Sequence, residues 1–61
     1  MSIKKGQAAF INNELDLWHG ERCAVVRVRT GKHGEVEAVA VRLPEGYVHE
    51  YSIEHLIIEG E

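Results

Sequence analysis

Between Arg22 and Leu43 β-branched residues recur at nearly every second position within two runs, the period expected of strands with one face toward a core. These runs, Arg22 to Thr30 (RCAVVRVRT) and Glu35 to Leu43 (EVEAVAVRL), flank the sequence GKHG, whose end glycines suit a four-residue hairpin connection. With Gly31 facing Gly34, Thr30 pairs with Glu35 and the register follows by counting outward. That count predicts a core face of Ala24, Val26, Val28, Val39, Val41 and Leu43, with Glu37 as an exception near the tip. The opposite face then carries Cys23, Val25, Arg27, Arg29, Val36, Ala38, Ala40 and Arg42.

The remaining elements are shorter. Gln7 to Asn12 (QAAFIN) reads as a first strand ended by the turn signal Asn12-Asn13. The segment NELDLWHGE is too interrupted for a helix and is expected to be a loop that tucks Leu15, Leu17 and Trp18 under the sheet. Pro44 to Gly46 is a turn, since proline presets its own φ and glycine accepts the positive φ that closes the reversal. A fourth strand follows in YVHEY, then one tight helical turn in SIEHL opened by Ser52, then a fifth strand in LIIE. The prediction is an all-β single domain over residues 1–61, a closed or nearly closed five-stranded small barrel with one short helical turn before the last strand. Residues 1–5 and 60–61 are expected to be loose.

Length changes the picture energetically. A chain of 61 residues hides only about 60% of the surface its unfolded form exposes, which puts its stability at roughly 3–5 kcal/mol. The single Cys23 rules out an internal disulfide, leaving a metal or association as further support. His19, His33, His49 and His55 lack zinc-like spacing, so no metal site is predicted, and Cys23 reads as a small hydrophobe at a strand start. No catalytic residues and no cofactor are predicted. The opening MSIKKGQAAF has no apolar signal core, and no run approaches the roughly 18 apolar residues of a membrane span, so a cytoplasmic protein is expected. Ten acidic against seven basic residues give a formal charge of −3, without the broad basic footprint of a nucleic-acid binder.

The order of elements, from the KKG entry through a loop, a long hairpin, a strand ending in Tyr51 and a one-turn helix before a last strand, resembles the SH3-like small barrels over nearly the whole chain. Such barrels serve as peptide binders, ribosomal and transcription-factor modules, plasmid and phage accessory proteins and at least one enzyme, so the likeness implies a fold before a function. Within that group, Trp18-His19-Gly20, Pro44 to Tyr47 (PEGY) and Val48 to Tyr51 (VHEY) resemble elements of the plasmid-borne type II dihydrofolate reductases, which work as tetramers around a pore. His49 and Glu50 stand where that family has an amide and an apolar residue, and its pore lysine would fall near Asn12, so shared architecture is what the resemblance implies.

Two surfaces compete for a role. Trp18, beside a glycine in an acidic loop, is either a lid on the barrel mouth or an anchor for a partner. If the fourth strand lies next to that loop, as the resemblance implies, Trp18, Tyr47, His49 and Tyr51 form a shallow groove rimmed by Glu14, Asp16 and Glu50, suited to basic or proline-rich peptides. Arg27, Arg29, Lys32 and Arg42 form a local basic face that a nucleic-acid backbone could meet, without an aromatic stacking platform. Val25, Val36, Ala38 and Ala40 offer small apolar side chains for self-association, making a homo-oligomer the expected state. The reading is a non-catalytic binding or assembly module with a protein or peptide partner, of the kind carried by phages, plasmids or other mobile elements. Behind it stand a nucleic-acid-associated module using the arginine face and, third, a small oligomeric enzyme of reductase architecture.

Overall fold

A computed structural model describes residues 3–59. The chain forms five strands, β1 (Ala8–Ile11), β2 (Arg22–Thr30), β3 (Val36–Arg42), β4 (Val48–Tyr51) and β5 (Leu56–Ile58), with one 3₁₀ turn at Ile53–His55. All pairings are antiparallel, and the strands lie in one sheet in the order β4-β3-β2-β1-β5. The two outermost strands, Tyr51 on one and Leu56 and Ile58 on the other, still contribute to one hydrophobic cluster with Ile11, Val25, Val39, Val41 and Leu43. A sheet whose opposite edges share a core must curl around it, which is how so short a chain encloses apolar side chains.

The turns follow their residues. At Pro44 to Gly46, the Gly46 N–H donates to the Leu43 carbonyl at 2.9 Å and Gly46 takes a φ of 99°, the backbone state that only glycine enters without strain. Ser52 sits at the start of the 3₁₀ turn without donating or accepting a side-chain cap, and the turn closes through the His55 N–H on the Ser52 carbonyl.

The long hairpin departs from simple alternation. Thr30 pairs with Val36 instead of Glu35, and the register shifts between Val25 and Arg27 and again between Arg29 and Thr30. The first shift is a β-bulge that inserts Val26 as an extra residue, so the strand changes which parity faces inward. Val28, Val39, Val41 and Leu43 lie on the core side as expected. Upstream of the bulge the assignment reverses: Cys23 and Val25 are in the core, Ala24 is exposed, and Val26 is only partly buried. Cys23 is therefore buried, and its Sγ donates to the Ala9 carbonyl at 3.4 Å.

Candidate functional site

The loop between β1 and β2 is ordered by its own polar groups. Asn13 Oδ1 accepts the Leu15 N–H at 3.1 Å, and His19 Nδ1 accepts the Asn13 N–H at 3.1 Å. Asp16 Oδ1 accepts the Trp18 N–H at 2.8 Å. Successive turns, Asp16 N–H to Asn13, His19 N–H to Asp16 and Glu21 N–H to Trp18, wind the segment back to β2. Asp16 and Trp18 are half-buried as a result, while Glu14, Leu15 and Leu17 face water.

Trp18 packs against the core cluster, and its ring centroid lies 4.9 Å from that of His49 on β4. Tyr47 approaches the same imidazole edge-on at 6.4 Å. Trp18, Tyr47 and His49 thus form one aromatic surface beside β4, with an exposed His49 at its centre and a half-exposed Tyr47 beside it. Tyr51, two residues further along the same face of β4, lies beneath this surface as part of the core. Leu15 and Leu17 do not tuck under the sheet; they are 97% and 87% exposed. Alternation explains this, because Asp16 and Trp18 take the inward positions and the interior is already filled by Ile11, Val41 and Tyr51.

The buried end of the site has its own electrostatics. Burial is the main cause that pushes the Tyr51 hydroxyl from an ordinary 10.0 up to about 12, and the Asp16 carboxylate beside it, as acceptor and as like charge to a phenolate, adds to the shift. A raised native pKa favours the protonated form, so this contribution to stability is complete below pH 10.0 and is lost as the pH rises toward about 12. Chemical denaturation of Tyr51→Phe is expected to show a shallower alkaline loss of stability than the parent. Equal slopes in the parent and Tyr51→Phe would contradict this account of the pair.

The other predicted surfaces fare differently. Arg29, on β2, reaches across β3 to Glu50 on β4 at 3.2 Å and also approaches Glu37 at 3.9 Å. Its guanidinium is thereby shared between two carboxylates, and among the described residues the basic face is left with Arg27, Lys32 and Arg42 outside ion pairs. The same crossing lies over Ala38 and Ala40, the register partners of Arg29 and Glu50, and both alanines are buried within the chain. With Val25 in the core and Val36 partly buried, the small-residue surface expected for self-association is not exposed. The bulge and the long Arg29 side chain are the physical reasons.

Sequence reasoning missed three features. The first is the outward turn of Leu15 and Leu17, against the expectation that they lie under the sheet. The second is an exposed cross-strand pair, Phe10 with Ile57, on the outer face of β1 and β5. The third is an open depression of about 490 Å³ over Ala8, Ala24 and Leu43, between Arg22 and Arg42. Among the described residues no group of three or more His, Cys, Asp or Glu side chains is placed to hold a metal ion, and no helix is long and apolar enough to cross a membrane. The chain has no match among models of protein families, curated proteins or solved structures.

Proposed function

We propose that the protein is a non-catalytic binding module of SH3-like architecture that captures a basic or proline-rich peptide segment on the surface formed by the β1–β2 loop and β4. The observation that carries this reading is the Trp18 ring held 4.9 Å from His49, with Tyr47 59% exposed beside it and Leu17 projecting from the same loop. Rigid aromatic side chains supply contact area at little entropic cost, which is why they anchor interfaces. A turn network that fixes such a surface also lowers the ordering cost of binding. Glu14, in the loop that carries Trp18, and Glu45, in the turn before Tyr47, are exposed, and the chain's charge of −3 favours a partner of positive sign. The arginine face supports a nucleic-acid role less well, since Arg29 is already engaged by Glu37 and Glu50.

Trp18 is the only tryptophan, so its emission reports the occupancy of this surface directly. Titration of an array of lysine-, arginine- and proline-rich peptides is expected to shift that emission. Tyr47→Ala and Leu17→Ser change exposed side chains and should leave the denaturation midpoint near the parental value. Each is expected to weaken capture about tenfold or more, the size of effect seen when an interface anchor is truncated. Equal affinity in the parent and both variants, or capture that is lost on Arg27→Ala and falls steeply with salt, would move the function to another face.

A further inference from the structure

We infer that the ligand of this site is an extended basic segment that joins the sheet as a sixth strand along the free edge of β4. The inference rests on the proposed binding function and specifies its mode. β4 is an outermost strand, and its pairing to β3 is Arg42 with Val48, Val41 with His49, Ala40 with Glu50 and Val39 with Tyr51. The Leu43 N–H donates to the Tyr47 carbonyl at 2.7 Å, which marks that pair as hydrogen-bonded. Bonded and non-bonded pairs alternate along an antiparallel ladder, so His49 and Tyr51 bond to β3, while the N–H and C=O groups of Val48 and Glu50 point the other way. No backbone group among the described residues pairs with them on that side.

Four backbone groups in register on an exposed edge form a template for another strand. Natural proteins blunt such edges with proline, inward-pointing charges or a covering loop, and β4 carries no proline. Instead its inward residue on this stretch is His49, within the Trp18 and Tyr47 surface, and its outward residues are Val48 and Glu50, both exposed. An added strand would therefore alternate its side chains between the aromatic surface and the outer face beside Glu50. Backbone bonds would supply register, and the aromatic surface would select an apolar residue at every second position. Glu45 and Glu54, exposed in the turns that flank β4, select lysine or arginine for the other positions. The same charges disfavour a second copy of this chain, which would bring its own −3 to the same edge.

The probe is a capped octapeptide alternating lysine and valine, added to the full chain while Trp18 emission and amide hydrogen exchange are followed. At saturation the Val48 and Glu50 amides are expected to exchange about tenfold more slowly or better, as edge groups acquire partners. The His49 and Tyr51 amides, already bonded to β3, should change little. N-methylation of one alternate set of peptide residues is expected to abolish binding, and methylation of the other set to be tolerated, because only one set faces β4. A shift of Trp18 emission without protection at Val48 and Glu50, or equal binding by both methylated sets, would overturn strand addition and leave the aromatic binding surface standing. Absence of any binding at about 1 mM peptide, the weak end of measurable affinity, would also overturn it. Protection of the two amides that grows with protein concentration in the absence of peptide would assign the edge to a second copy and overturn the basic segment as its occupant.

Discussion

An Ile11→Ala variant is expected to sit close to its unfolding midpoint in water at room temperature. Ile11 is 1% exposed, faces Leu56 across the β1–β5 pairing and is one of the largest fully buried side chains. Its backbone also closes the loop that carries Trp18, donating to Glu21 and accepting from Gly20 at 2.8 Å, so the side chain anchors both the core and the site's base. Removing a buried isoleucine to alanine costs about 2–5 kcal/mol, against a total stability of roughly 3–5 kcal/mol for a chain of this size. Leu15→Ala removes a side chain of the same carbon count from an exposed position and should change stability by less than about 0.5 kcal/mol. Urea denaturation followed by circular dichroism compares the two. A loss below about 1 kcal/mol for Ile11→Ala would mean that β1 does not wall the core.

The second large effect separates neighbours. Val25→Asp is expected to abolish folding, and Ala24→Asp to leave a cooperative native state. Val25 is 1% exposed in the core cluster, where a carboxylate would have no partner and would cost about 4 kcal/mol or more. Ala24 points outward next to Arg42, where aspartate meets water and a cation, and the penalty is the weak strand propensity of that residue, about 1 kcal/mol or less. The opposite ranking would show that β2 runs without its bulge. No other pair of adjacent positions tests the register so directly.

That pair also shows why the sequence was readable in some places and silent in others. The hairpin, the turn at Pro44 and the single helical turn before the last strand each carry a local signal, and each forms where expected. On β3 the polar residues Glu37 and Arg42 bracket the apolar stretch, and the inward set Val39, Val41 and Leu43 is as read. On β2 the polar markers Arg27 and Arg29 lie downstream of the bulge, and upstream of it only the terminal Arg22 records the other phase. Counting backward from Arg27 and Arg29 through Cys-Ala-Val-Val meets four side chains tolerable on either face, and Arg22, at the strand's first position, where a strand end leaves either face open to water, is too weak a marker to record the shift. The small-residue surface failed for a related reason: alanine is consistent with an interface or with the space beneath an arginine, and only the Arg29 side chain crossing to Glu50 decides between them.

The aromatic surface divides in the same way. Trp18, Tyr47 and His49 come together on the loop and β4, an adjacency that follows from the strand order more than from any spacing in the chain. The exposure of Leu15 and Leu17 depends on Asp16 being turned inward to the Trp18 N–H, a choice made by three-dimensional packing. The open edge at Val48 and Glu50 belongs to the backbone and to the position of β4 at the end of the sheet, so side-chain identity carries no trace of it.

The pairing of β1 with β5 sets an order on synthesis. β2, β3 and β4 leave the ribosome in sequence, each able to pair with its predecessor, but Ala9 and Ile11 keep one edge open until Ile58 and Leu56 arrive. Contacts that join residues so far apart in the chain are the slow ones to form. Until the last three-residue strand docks, the apolar face of the meander is uncovered, and in that interval the chain is most prone to associate with other chains.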